Sequence, residues 1–181
     1  MGRPEDCFLG LGSNQGDSRR HLRLALAALG RLSGVRLLKA SSLYRSAPLG
    51  RKDQRDFLNA VVRLRTTRTP MGLLLELKRL EAARGRKPGG PRWGPRPLDC
   101  DILFFGSRRL RSRWLTLPHP RAARRLFVLR PLAEIAPDLP LPGLPGRTPA
   151  ARLARLNASG QDVRILTRCP PPRSRRRRSA R

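Results

Sequence analysis

Asp99 and Asp101 stand two positions apart in the run Leu98-Asp99-Cys100-Asp101-Ile102-Leu103. If Leu98 to Phe105 is a strand, alternate side chains share a face, so both carboxylates point the same way. Such a pair offers hard oxygen ligands, the set that Mg²⁺ takes together with substrate phosphates. The chain has 12 acidic residues against 40 basic ones, so two acids placed side by side here are more than a solvated strand face. Leu103 and Phe105 are expected to continue that face in apolar form. Arg86, Arg92 and Arg96 precede the run in a loop rich in Gly and Pro. Guanidiniums beside a metal–phosphate site stabilise developing charge, and losing one such donor commonly costs about 10²–10³ in rate. The spacing predicts metal-assisted phosphoryl transfer.

Other residues carry weaker signals. His119 lies in Leu117-Pro118-His119-Pro120-Arg121, where the flanking prolines restrain it. It reads equally as a surface histidine and as a nucleotide contact. Phe57 and Asn59 sit at i and i+2, so a strand puts them on one face. An aromatic ring beside an amide suits a flat heterocycle, although core packing explains Phe57 and Phe127 as well. Gly10-Leu11-Gly12-Ser13-Asn14 begins like a nucleotide-binding glycine motif, but a third Gly at the right spacing is missing. The chain contains no GxxxxGK[ST] string, so ATP would bind without a Walker A loop.

These residues need elements to hold them. Phe8 to Gly12 reads as a first strand, followed by a polar turn. Ser18 is a candidate cap for a helix whose Leu22, Ala25, Leu26, Leu29 and Leu32 recur at helical spacing. Val35 to Tyr44 reads as a second strand and Phe57 to Leu64 as a third, with a charged loop between them. Thr69-Pro70 predicts a helix start, Leu73, Leu74, Leu77 and Leu80 its apolar face, and Gly85 its end. Arg84 to Pro97 is expected to be a mobile loop, and the Asp99 strand follows it. Arg108 to Leu117 reads as a short hairpin. Helical segments are expected from Phe127 to Ile135 and from Thr148 to Leu156. The order strand, helix, strand, strand, helix, strand predicts an α/β (α+β) fold: a ferredoxin-like βαββαβ sandwich with a central antiparallel sheet.

At 181 residues, 39% of them hydrophobic, the chain is expected to form one domain over residues 1–160. Residues 161–181, ending in a Pro/Arg-rich run from Pro170 to Arg181, are expected to be a disordered basic tail. No apolar run approaches the ~20 residues of a membrane-spanning helix, and the first residues lack a signal-peptide pattern. Cys7, Cys100 and Cys169 are odd in number and far apart, against a disulfide framework. The cytoplasm is the expected compartment. The net charge of +28 comes almost wholly from scattered Arg, with only four Lys. That pattern fits a GC-rich coding genome ahead of a specific nucleic-acid partner, and a positive field still attracts an anionic nucleotide.

Together these strings resemble 6-hydroxymethyl-7,8-dihydropterin pyrophosphokinases of folate biosynthesis. The resemblance rests on Leu9-Gly10-Leu11-Gly12-Ser13-Asn14, Ser42-Leu43-Tyr44-Arg45-Ser46-Ala47-Pro48, Asp56-Phe57-Leu58-Asn59-Ala60-Val61 and Leu80-Glu81 with Gly85-Arg86. It continues through Arg92-Trp93-Gly94-Pro95-Arg96-Pro97-Leu98-Asp99-Cys100-Asp101-Ile102-Leu103, Leu117-Pro118-His119-Pro120-Arg121, Arg125-Leu126-Phe127-Val128-Leu129 and Pro131-Leu132. It implies an ATP site beside a pterin site, and a monomer that transfers diphosphate from ATP to the pterin hydroxymethyl group. Asp99 and Asp101 would hold two Mg²⁺ ions. Phe57 and Phe127 would sandwich the pterin, whose polar edge Asn59 and the backbone near Ser46, Ala47 and Leu49 would read. Trp93 would lie on the closing loop. Arg86 and Arg96 would close over the phosphates, and His119, Arg125, Thr116 and the backbone near Ile102 would contact ATP. The chain departs from the family pattern at Ala47, where Pro is common and whose exchange would loosen the pterin-side loop. It departs again at Pro88, where some members carry a basic residue, and at Lys78, often Gln.

Overall fold

The computed structural model describes residues 2–86, 89, 93–142, 148–156 and 160–167. Strand β1 (Glu5–Ser13) alternates cleanly: Cys7, Leu9 and Leu11 face one side of the sheet, while Phe8, Gly10 and Gly12 face the other. Helix α1 (Ser18–Leu29) buries Leu22, Ala25 and Leu29. Its cap is Asp17 and not Ser18: the Asp17 carboxylate accepts the Arg20 N–H at 2.9 Å, satisfying an otherwise unpaired donor of the first turn.

The expected second strand is two segments, β2 (Val35–Ala40) and β3 (Leu43–Ser46), both antiparallel to β4 (Phe57–Thr66). Side-chain hydrogen bonds replace the ladder at the break. Ser41 Oγ accepts the Val61 N–H at 2.9 Å, and the Ser42 N–H and hydroxyl donate to Glu134 at 3.0 and 2.8 Å. Helix α2 (Pro70–Ala83) starts as expected, with Thr69 Oγ1 accepting the Gly72 N–H at 3.1 Å. Gly85, at φ +91°, follows its end in the left-handed region.

Strand β5 (Asp99–Phe105) pairs antiparallel with β1 and forms an edge of the sheet. The sheet runs β5, β1, β4, then β3 with β2 alongside it on the same partner. With β2 and β3 counted as one interrupted strand, this is the antiparallel ferredoxin-like arrangement. A hairpin of β6 (Leu110–Arg111) and β7 (Thr116–Leu117) follows, then α3 (Leu126–Ile135), α4 (Pro149–Arg155) and β8 (Val163–Thr167). Helices α1 and α2 cover one face through Leu22, Ala25, Leu73 and Leu77 against Leu9, Val62, Cys100 and Ile102. Helix α3 covers part of the other through Val128, Leu132 and Ile135 against Phe8, Val61 and Phe104.

The boundary expected at residue 160 falls too early. β8 pairs with β3, Val163 is buried, and the Gln161 side chain accepts the Leu126 N–H at 2.8 Å. The adjoining Arg run masks a five-residue strand of β-forming residues. Pro170 to Arg181, Cys169, Pro88 and Arg92 lie outside the described residues. Cys7 and Cys100 are buried free thiols.

In the β1–β4 ladder Asp6 stands opposite Arg65, at 3.0 Å, and also pairs with Arg63. Burial raises the Asp6 carboxyl, but the two guanidiniums outweigh it and hold it below its ordinary value. A depressed folded pKa means stability that is present above the unfolded value and lost as pH falls through the folded one. Thermal melts of the wild type should therefore lose Tm more steeply than Asp6→Asn as pH drops below about 4. Parallel curves would contradict the pairing.

Candidate active site

The register of three strands builds the floor of a cleft on the α3 side of the sheet. Gly12 lies between Asp99 of β5 and Asn59 of β4, and Gly10 lies between Asp101 and Val61. The carboxylates and the amide thus flank a strip of glycine, two strand spacings or about 10 Å apart. A Cβ on Gly12 would sit 3.4 Å from Asn59 Oδ1, 3.8 Å from the Phe57 ring and 3.9 Å from Asp99 Cβ. Glycine keeps the space between the two halves open. The cleft, about 270 Å³, is walled by Phe57, Phe127, Trp93, Leu49, His119 and Arg125 among others.

Asp99, Asp101 and Leu103 share the cleft face, as the period of two predicts. Phe105 does not continue it. The β1–β5 register shifts between Phe8 and Leu9, and Phe105 packs in the core beneath α1 and α2. Asp99 Oδ1 receives Arg86 at 2.6 Å and Arg96 at 2.9 Å. The Arg86 Nη1 also meets Glu81 Oε1 at 2.7 Å. Glu81, 2% exposed on α2, accepts the Cys100 N–H at 2.8 Å and pairs with Lys78 at 2.9 Å. The N–H between the two aspartates would otherwise be unpaired at the sheet edge. Lys78, the departure from Gln, thus supplies a cation to a buried acid.

Burial raises the Glu81 carboxyl against the pull of Lys78, the Cys100 N–H and Arg86. Burial and the neighbouring Asp99 charge also raise Asp101, with His119 opposing. Burial lowers His119, helped by Arg125 and Arg121 and opposed by Asp101, so its imidazole is neutral at pH 7. His119 Nδ1 accepts the Arg121 N–H at 3.2 Å, which leaves Nε2 to carry the proton. His119 is therefore a donor. Arg125 is lowered by burial and by Arg121 and Arg96, a crowding of cations that an anion would relieve.

Of the residues expected from sequence, Ser46, Ala47, Leu49, Phe57, Asn59, Trp93, Arg96, Asp99, Asp101, His119, Arg125 and Phe127 all line this one cleft. Arg86 joins through its bond to Asp99. The Ile102 side chain does not reach it; it is buried in the core on the opposite face. Thr116, paired with Arg111 in the β6–β7 hairpin, is not among the wall residues. The Asn59 amide donates to Ser46 Oγ at 2.9 Å. Ala47 donates its N–H to Asp162 O at 3.3 Å, a bond that proline could not make and that ties this loop to the β8 end. Sequence reasoning did not assign roles to Gly10, Gly12, Arg121 or Glu81. Glu81 carried a signal as an acid four residues after Leu77 on the buried stripe of α2, and Gly10 and Gly12 carried one as the start of a glycine motif.

Residues 8–137 match the model of the 7,8-dihydro-6-hydroxymethylpterin-pyrophosphokinase (HPPK) family. The chain is similar to 2-amino-4-hydroxy-6-hydroxymethyldihydropteridine pyrophosphokinases of several bacteria. It is 44% identical to that of Haemophilus influenzae over 135 residues, covering 75% of this chain and 84% of the relative. It is 44% identical to that of Methylorubrum extorquens over 153 residues, covering 84% and 94%. The Pseudomonas aeruginosa enzyme is 46% identical over 135 residues, covering 75% and 83%. Among solved structures, a Plasmodium falciparum HPPK-DHPS with pterin and p-hydroxybenzoate superimposes with a TM-score of 0.67 at 16% identity. That match covers 85% of this chain and 44% of the larger one, and it shows the shared fold.

Replacing Glu81 with Ala orphans the Cys100 N–H and strips a buried partner from Arg86. Chemical denaturation should show a loss of about 3–5 kcal/mol, as for a broken buried ion pair. Glu81→Gln keeps an acceptor for Cys100 and should lose less. Equal stability of Glu81→Ala and wild type would contradict the clamp.

Proposed function

Because the chain belongs to the 7,8-dihydro-6-hydroxymethylpterin-pyrophosphokinase family, we propose that the cleft over Gly10 and Gly12 is where its two substrates meet. The enzyme transfers diphosphate from ATP to 6-hydroxymethyl-7,8-dihydropterin, giving AMP and the pterin diphosphate, a step of folate biosynthesis. The observation that carries the placement is the register: the Phe57/Asn59 side and the Asp99/Asp101 side flank one glycine strip in one cleft.

On this reading the pterin ring lies between Phe57 and Phe127, near Asn59, Ser46 and the backbone of Ala47 and Leu49, with Trp93 above. Arg96, Arg86, Arg125 and His119 meet the ATP phosphates, the histidine through its Nε2–H. Ile102 contributes through its backbone alone, and Thr116 from the adjoining hairpin.

Asp99 and Asp101 fit Mg²⁺. The donors are hard carboxylate oxygens on the cleft face. Water and phosphate would supply the remaining ligands, the usual Mg²⁺ arrangement. Two such ions would neutralise phosphate charge and align the polyphosphate. The pterin hydroxymethyl oxygen forms a bond to the β-phosphorus as the bond to the α,β-bridging oxygen breaks. AMP leaves with that oxygen, and the hydroxyl proton goes to solvent. The chain's own part is positioning and charge stabilisation, which dominate phosphoryl transfer. His119 donates and does not act as the base.

We take the protein to act as a cytoplasmic monomer with no specific nucleic-acid partner. No described helix is long and apolar enough to cross a membrane, and the positive charge suits a nucleotide anion.

Asp99→Ala and Asp101→Ala should each lower turnover by about 10²-fold or more, the scale of losing a positioned charge, with circular dichroism unchanged. A folded double variant with near-normal AMP production would remove the assignment.

A further inference from the structure

Helix α3 has no cap of its own. Its N-cap position is Arg125, whose guanidinium has no acceptor to offer the first-turn N–H groups, and its side chain bonds none of them. Ser, Thr, Asp or Asn fills that position in an ordinary helix. Here it is taken by a residue of the cleft wall, and Phe127, two residues on, is another. The Arg125 guanidinium lies 5.4 Å from the Phe127 ring centre. Leu126 between them is 3% exposed, so its N–H needs a partner inside the protein.

That partner stands 35 residues further along the chain. Gln161 Oε1 accepts the Leu126 N–H at 2.8 Å, and Gln161 Nε2 donates to Arg124 O at 3.3 Å. Arg152 of α4 donates through Nε to Ala123 O at 2.8 Å. The backbone from 123 to 126 is thus held by side chains that follow residue 137, where the family match ends. Gln161 is itself anchored. Asp162 O accepts the Ala47 N–H, Val163 O accepts the Arg130 guanidinium of α3, and β8 pairs with β3. A rule of helix formation is broken at Arg125 and made good elsewhere, as happens where function takes a position that stability would otherwise use. We propose that Gln161 is a positioning residue. As the remote cap of α3 it sets the change from extended chain at Arg125 to helix at Leu126, and so aims the Arg125 guanidinium and the Phe127 ring into the cleft. Gln161 is not a wall residue of the cleft and acts through the backbone alone. Its effect on turnover rests on the reaction proposed above; its hold on the Leu126 N–H does not.

The test uses two variants of the full chain. Gln161→Met keeps the length of the side chain and removes its amide donor and acceptor. Gln161→Glu keeps an oxygen for the Leu126 N–H and loses the donor to Arg124. Hydrogen exchange at the Leu126 N–H, followed by NMR, should be faster in Gln161→Met than in wild type by about fivefold or more, the scale of a lost cap. Exchange in Gln161→Glu should stay near wild type. Gln161→Met should lower kcat/KM for both ATP and the dihydropterin by about tenfold to hundredfold, the cost of misplaced contacts, because one group toward each substrate loses its aim. Gln161→Glu should restore both values. A merely structural role would lower the melting temperature of Gln161→Met and leave the kinetic constants of the folded enzyme unchanged. Wild-type exchange or wild-type kinetics in Gln161→Met, or a Gln161→Glu variant as impaired as Gln161→Met, overturns the proposal. An inactive wild type would count against the assigned reaction, and exchange at Leu126 would still decide whether Gln161 caps the helix.

Discussion

Arg86 binds two carboxylates with one nitrogen, Glu81 on the helix side and Asp99 on the cleft side, and so closes the edge of the sheet at β5. Three acids, Glu81, Asp99 and Asp101, crowd this edge in a chain otherwise short of acids. Lys78, Arg86 and Arg96 balance them. Breaking such a buried cluster costs more than forming it contributes, because the remaining charges stay buried without a partner. The cluster therefore fixes where β5 runs, and β5 fixes where the two aspartates point. On the proposed reading, the guanidiniums that neutralise Asp99 also meet the phosphates. Nucleotide binding then exchanges one anionic partner for another at groups already in place.

The fold contributes the second constraint through register. β1 lies between β5 and β4, and its cleft-facing positions are glycines where the neighbours present Asp99, Asp101 and Asn59. A flat bare strip at the centre of a sheet leaves room for two ligands to approach each other. The side chains that hold them stand on the flanking strands and on the loops around α3. A one-residue slip would turn every one of these side chains into the helix-covered core.

Periodicity made much of this legible. The spacing of Asp99 and Asp101, and of Phe57 and Asn59, assigns each pair to one face without knowledge of the partner strand, and the apolar repeats of α1 and α2 do the same for the core. What stayed hidden depends on partners far away in the chain. Ser41 and Ser42 break the second strand because Val61 and Glu134 come to meet them. Phe105 leaves the cleft face because of an irregularity that exists only in the pairing with β1. β8 is five residues beside an arginine run, and its existence as a strand is set by the free edge of β3. Gln161 is 35 residues from the Leu126 N–H it accepts, and nothing local marks it as the cap of α3.

The central claim is that one cleft brings ATP and the dihydropterin together for diphosphate transfer. The most direct test is to follow ATP, AMP and the pterin diphosphate in one reaction of the purified chain, omitting Mg²⁺ or the pterin in turn. The account predicts AMP and pterin diphosphate in equal amounts, formed only when ATP, pterin and Mg²⁺ are all present. AMP formed without pterin, or no product from folded protein with all three present, would contradict it.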